Sequence, residues 1–286
     1  MLNAKDYNAL DLAQPTNFRG MLKSGRLLWG TSCRMPAEDV ARVLAALPYN
    51  FCFIDAEHTP IGAAEVSRLI KTIQYFSHGS MVPIVRTPGF APDLVAYCLN
   101  SGAGGIIQPH VRTAEEARRL VRVARFPPCG DRSFPPGAYV GGQARAPAGR
   151  SIYEVCNEHI AVICQIEDVE GVQNIDEIAA VPGVDALMVG ATDLRFSLGL
   201  EAGTNDGDEG SFLESMEKIS KAANANNLPI LGFATSPEEL HRRLASGWSA
   251  FMVHGDSAGL YSSGLESLEK YRSAAEGKSV NAIANY

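Results

Sequence analysis

The chain has 286 residues, 46% of them hydrophobic and 20% charged, with a formal net charge of −7. This composition suits a globular protein whose core needs no staples, and the acidic balance argues against a nucleic-acid partner. No apolar run reaches the roughly 18 residues of a membrane span, and the opening MLNAKDYNALDLAQ carries acids without a continuous apolar segment, so it does not read as a secretory signal.

Residues 1–26 precede any repeat and read as an N-terminal arm or helix. Short apolar, β-branched runs then alternate with longer helical patterns. The runs are LLWGTS (27–32), NFCFID (50–55), MVPIVR (81–86) and GAGGIIQP (102–109), followed by IAVICQIE (160–167), VDALMVG (184–190), LPILGF (228–233) and SAFMVHG (249–255). Continuous apolar runs of this length fit parallel strands buried on both faces. Between them, PAEDVARVLAAL (36–47) opens with Pro and acids, as a first helical turn does. TAEEARRLVRVARF (113–126) places Thr113 and Glu116 in capping-box spacing. VEGVQNIDEIAAV (169–181) and SPEELHRRLASG (236–247) have the same amphipathic form. Eight strands alternating with helices predict an α/β fold, a (β/α)8 TIM barrel over 27–274, with a doubly wound open sheet as the alternative. Residues 275–286 read as a polar tail. The stretch 127–159 is too long for a plain connection and reads as a functional loop.

The six cysteines contain no CxxC pair, and Cys52 and Cys164 sit inside apolar runs. They read as small buried fillers rather than a disulfide framework or a zinc site, so a reducing, cytoplasmic compartment is expected.

Barrel active sites lie at the C-terminal ends of the strands, which directs attention to the polar residues closing each run. Glu167 and Asp193 close neighbouring runs, and two carboxylates with open positions suit a hard divalent cation; surface salt bridges are the plain alternative. His58 follows Asp55 by three residues, and a His oriented by a carboxylate is a candidate general base; the alternative is an inert His on the rim. Arg86 ends an otherwise apolar run, where a guanidinium can hold a carboxylate or enolate oxygen or pair with Asp55 or Glu57. His110 follows Pro109 and is read as a site residue or a structural one. Gly190, followed by Ala191 and Thr192, can present backbone N–H groups to a carboxylate.

FIDAEHTP (53–60), VPIVRTP (82–88), GIIQPHVRTAEEAR (105–118) and QIEDVEGVQNIDEIAAVPGVDALMVGATDL (165–194) resemble, in order and spacing, the HpcH/HpaI aldolase and citrate lyase β-subunit family. The likeness runs from about residue 27 to about 260. It implies a barrel, commonly hexameric, that acts on a 2-oxo acid through a pyruvate enolate with Mg2+, Mn2+ or Co2+. It further implies Glu167 and Asp193 as metal ligands, Arg86 against the pyruvate oxygen, His58 and Asp55 as the base dyad, Gln165 beside the 2-oxo acid, and Gly190, Ala191 and Thr192 around its carboxylate. Expected reactions are oxaloacetate decarboxylation and aldol cleavage of 4-hydroxy-2-oxo acids. RSFPPG (132–137) and QPHVRT (108–113) resemble a fungal branch that couples the enolate to a 2-pyrone, with His110 and Tyr153 at the pyrone. A non-catalytic barrel and a CoA-ester lyase are the remaining alternatives. Two departures stand out. The family's loop proline is Ala191 here, which frees φ at that residue. Arg195 follows Asp193 by two, either adding charge near the site or pointing to solvent. Arg86→Ala is expected to lose activity while remaining folded.

Overall fold

A computed structural model of the chain describes residues 15–138, 146–201 and 203–276. Eight parallel strands close into a barrel in chain order: β1 (Leu28–Cys33), β2 (Phe51–Asp55), β3 (Val82–Arg86), β4 (Gly105–Gln108), β5 (Ala161–Ile166), β6 (Ala186–Val189), β7 (Ile230–Phe233) and β8 (Ala250–Gly255). All eight expected runs are strands, and the open-sheet alternative is excluded by the pairing of β1 with β8.

Successive strand residues face opposite sides, and this parity divides the core in two. Phe51, Phe53, Val82, Ile84, Ala161, Ile163, Ala186, Met188 and Leu231 pack inside the barrel. Cys52, Ile54, Val85, Ile106, Val162, Cys164, Ile166 and Leu187 face outward and pack in the outer layer. Five of the six cysteines are buried, and all are free thiols. The same parity continued to the strand ends aims Asp55, Arg86 and Gln165 inward at the C-terminal mouth.

The outer layer begins with α2 (Glu38–Ala45), α3 (Ala63–Phe76), α4 (Pro92–Asn100) and α5 (Ala114–Ala124). Thr113 and Glu116 form the expected capping box on α5. The predicted helix over 169–181 is two, α7 (Val169–Gln173) and α8 (Ile175–Ala179). They part at Asn174, whose Nδ2 donates to Arg112 O at 2.8 Å. α9 (Ala191–Ser197), α10 (Gly210–Ala225) and α11 (Pro237–Ala245) complete the cover over β6 and β7.

Three further helices lie outside the simple repeat. α1 (Phe18–Lys23) closes the floor of the barrel, with Phe18, Met21 and Leu22 buried against the interior cluster. α6 (Ile152–His159) lies inside the long 127–159 stretch; residues 139–145 of that stretch fall outside the described residues, as do 1–14 of the expected arm and 277–286 of the expected tail. α12 (Asp256–Ala275) is 20 residues long, and only its first residue is buried. Leu260, Tyr261, Leu265, Leu268 and Tyr271 form an exposed apolar stripe along it. Among the described residues no helix is long and apolar enough to cross a membrane.

Candidate active site

A cavity of about 930 Å³ opens at the C-terminal mouth of the barrel, floored by Met188 and Met252 of the interior core. Of the residues expected from the sequence, His58, Arg86 and Gln165 line it, as do Gly190, Ala191, Thr192 and Asp193.

Strand register builds the first half of the site. Asp55 and Arg86 stand opposite each other on β2 and β3. Arg86 donates from Nε to Asp55 Oδ1 at 3.0 Å and from Nη2 to Oδ2 at 2.7 Å, while Nη1 lies 3.1 Å from Glu57 Oε2. Its guanidinium sits over the Phe53 ring at 5.2 Å. The planar fork is thereby fixed from three sides, which is the use to which Arg is better suited than Lys. Burial pushes the Asp55 carboxyl up, but the Arg86 fork and the His58 N–H outweigh it and hold the group below its ordinary value.

The expected Asp55–His58 side-chain dyad is not what the structure contains. Asp55 Oδ1 accepts from the backbone N–H of Glu57 at 3.2 Å and of His58 at 3.3 Å, so it shapes the loop and aims Arg86. The His58 ring is exposed, with Nε2 3.8 Å from Glu57 Oε2. Both carboxylate oxygens of Asp55 are committed to Arg86, which leaves the imidazole to a different neighbour.

The second half rests on β5 and β6. Glu167 is 1% exposed. Gln165 Nε2 donates to its Oε2, and the His110 N–H donates to Oε1 at 2.7 Å. Burial pushes the Glu167 carboxyl up to about 6, against the hydrogen bonds from Gln165 and His110, and the Asp193 charge raises it further. Gly190 is required here: a Cβ at this position would overlap Glu167 Oε2 and Cβ. His110 adopts a left-handed backbone, φ 51°, a conformation unusual outside glycine. Its ring Nδ1 lies 3.5 Å from both Glu167 and Asp168. His110 therefore serves Glu167 through its backbone, and it is not among the residues lining the cavity. Tyr153 is 44% exposed on α6 and likewise absent from the lining; within one chain it does not reach the site.

Arg195 neither adds charge to the cavity nor points to solvent. It is buried and forks onto Glu209, with Nη1 2.5 Å from Oε2 and Nη2 2.6 Å from Oε1. The pair pins the connection between α9 and α10, which carries the cavity residues Thr204 and Asn205. The sequence reading also missed Arg34 and Arg243 in the lining. Arg243 Nη2 donates to Asn205 O at 2.8 Å, a contact 38 residues apart that no local pattern signals.

The HpcH/HpaI aldolase/citrate lyase family model matches residues 34–261. A hydroxypyruvate/pyruvate aldolase of Paraburkholderia phytofirmans is 30% identical over 259 residues, 89% of this chain and 97% of that protein. A 4-hydroxy-4-methyl-2-oxoglutarate aldolase of Chaetomium globosum is 36% identical over 206 residues, covering 70% and 72% of the two chains. Among solved structures, macrophomate synthase superposes with a TM-score of 0.88 at 34% identity, over 96% of this chain and 95% of that one. Barrel, rim chemistry and relatives together define the chain as an enzyme, a carbon–carbon lyase of the aldolase type. It belongs to the HpcH/HpaI aldolase/citrate lyase family.

Proposed function

We propose that this chain makes and breaks the C3–C4 bond of a 2-oxo acid, one carbon removed from the keto carbon, through a pyruvate-type enolate, with a divalent cation of the Mg2+, Mn2+ or Co2+ kind held by Glu167 and Asp193. The observation that carries this reading is a buried carboxylate, Glu167, tied to Gln165 and His110 beside a cavity that Asp193 lines. The residues fit such an ion. Each carboxylate oxygen of Glu167 accepts one hydrogen bond and has a second lone pair to offer. The Gln165 Oε1 is buried without a hydrogen-bond partner among the described residues, an acceptor that a hydrated cation would satisfy. Among the described residues no cluster of three His, Cys, Asp or Glu could hold a metal, and the set proposed here is the two carboxylates alone. That suits a hard ion which keeps waters and takes substrate oxygens. When bound, the ion supplies Lewis-acid stabilisation of negative charge on the keto oxygen.

The chain's own residues divide the remaining work. Arg86, held by Asp55 and Glu57, offers donors to the oxygen where charge develops. No side chain caps α9, so the N–H groups of Ala191 and Thr192 are available to the substrate carboxylate. His58, exposed at the rim, is the proton carrier for the C4 hydroxyl or for C3. In cleavage of a 4-hydroxy-2-oxo acid, the hydroxyl loses its proton and the C3–C4 bond breaks. A carbonyl compound leaves, and C3 takes a proton to give pyruvate. With oxaloacetate the leaving group is CO2. Metal-dependent exchange of the pyruvate methyl protons for deuterium tests the enolate common to both.

Coupling of the enolate to a 2-pyrone is the second reading, supported by the similarity to macrophomate synthase. The exposed stripe on α12 supports a homo-oligomer, the hexamer of the family resemblance, since an apolar helix face of this kind calls for a partner surface. Light scattering of the purified protein reads that state directly; a monomer at micromolar concentration contradicts it.

A further inference from the structure

The cavity lining is unbalanced in charge. Three arginines, Arg34, Arg86 and Arg243, face a single carboxylate, Asp193. Two of the arginines are already assigned. Arg86 gives three of its five N–H donors to Asp55 and Glu57, and the two that remain are those offered to the keto oxygen. Arg243 donates to Phe233 O and Asn205 O and pairs with Glu239.

Arg34 differs. Its backbone is fixed: the N–H groups of Arg34 and Met35 both donate to the buried Asp256 Oδ2, at 2.8 and 2.7 Å, and its carbonyl accepts from Thr59 Oγ1 at 3.0 Å. Its side chain reaches across the mouth to lie 5.4 Å from the centroid of the Phe233 ring on β7. Nε is 3.5 Å from Asp55 Oδ2, and the side chain is 43% exposed. That separation is too long for a good hydrogen bond, and Asp55 is already satisfied by Arg86. A guanidinium over an aromatic ring on a pinned backbone, whose ion pair among the described residues is the long one from Nε to Asp55, has its Nη donors placed for a planar anion from the cavity side.

We propose that Arg34 binds a second carboxylate, on the carbon that leaves or joins the enolate. This rests on the enolate-forming reading above and narrows it: the favoured acceptor is itself a 2-oxo acid, and the favoured cleavage substrate is a 4-hydroxy-2-oxo acid carrying a carboxylate on C4. In that cleavage the C4 hydroxyl gives up its proton, the C3–C4 electron pair passes to the enolate, and C4 leaves as the keto carbon of a second 2-oxo acid. Protonation at C3 releases pyruvate. Two 2-oxo acids form, and no further reactant is needed.

The test compares 4-hydroxy-4-methyl-2-oxoglutarate with 4-hydroxy-4-methyl-2-oxopentanoate, in which a methyl replaces the C4 carboxylate, using the protein with Mg2+. Charge-assisted hydrogen bonds contribute about 1.5–3 kcal/mol, equivalent to about 10–100-fold. Wild type should therefore prefer the carboxylated substrate in kcat/KM by about that factor. Arg34→Gln should remove the preference through KM, and Arg34→Lys should restore part of it. A wild type without preference, or a preference intact in Arg34→Gln, overturns the assignment. A second arm needs no turnover: calorimetric affinity for 2-oxoglutarate relative to 2-oxopentanoate, in both proteins. If neither substrate is cleaved but the affinity preference is present and lost in Arg34→Gln, the lyase reading fails and the carboxylate site stands. Equal affinities in wild type overturn the site whatever the turnover.

Discussion

Glu167→Gln should abolish metal-dependent turnover, a loss of about 10²–10³-fold or more by analogy with removal of a principal charge-stabilising group, while making the metal-free protein more stable at pH 8. Both effects follow from one buried carboxylate. Burial raises Glu167 from 4.5 to about 6, so its folded-state value lies above its unfolded one. Stability from the neutral form is fully present below the unfolded value and is lost as pH rises through 6. Each pH unit of difference is about 1.4 kcal/mol, which puts the cost of the ionised group at about 1–2 kcal/mol above that pH. Glutamine keeps the shape and stays neutral. It can still accept the His110 N–H, and a flip of the Gln165 amide turns the unpartnered Oε1 toward the new NH2. Thermal melts at pH 8 without metal should place the variant above wild type, and melts near pH 4 should bring the two together. Added Mn2+ should raise wild type by mass action and leave the variant unmoved. A variant that still gains stability from Mn2+ argues against Glu167 as a ligand.

Arg86 carries the second large effect, and its partners change which variant is informative. Alanine was expected to leave a folded, inactive protein. With Arg86 gone, however, the fully buried Asp55 keeps only two long backbone donors and Arg34 at 3.5 Å. Leaving one member of a buried pair costs about 3–5 kcal/mol, so Arg86→Ala should be substantially unfolded at 37 °C. Arg86→Lys retains the charge and loses the fork. It should lower kcat by about 10²–10³ with a melt intermediate between wild type and alanine. Asp55→Asn should lower kcat as well, because Asp55 holds the guanidinium, and Asp55→Asn with Arg86→Lys should be less than additive, as for residues acting as one unit. Wild-type kcat in Arg86→Lys contradicts the role given to the fork.

The parallel strands were legible because β2 to β6 are buried throughout, the other three are buried over at least half their length, and all read as largely apolar runs. Phe51, Phe53 and Asp55, or Ala161, Ile163 and Gln165, then place the site by parity alone. Strand starts were less legible. The run 102–109 enters the barrel only at Gly105, after Gly102 with φ 98° has ended the preceding turn. α6 was overlooked inside a stretch rich in Pro and Gly, although Ser151 and Glu154 carry its capping-box signature. The dyad expected from Asp55 and His58 depended on side-chain direction, which three residues of spacing do not fix. Arg243 with Asn205 and Arg34 with Phe233 join segments that belong to different strand-to-strand connections, so only the folded barrel brings them together; Arg195 and Glu209 lie 14 residues apart at the two ends of one loop, where no periodic pattern pairs them.

On the proposed reading the site generates a pyruvate enolate with a divalent cation. Proton NMR of pyruvate in D2O tests it without knowledge of the acceptor. With Mg2+ and wild-type protein the methyl signal should decay well above the metal-only rate, stop on addition of EDTA, and persist unchanged with Glu167→Gln. Decay no faster than with metal alone, or decay that survives both EDTA and Glu167→Gln, contradicts the account.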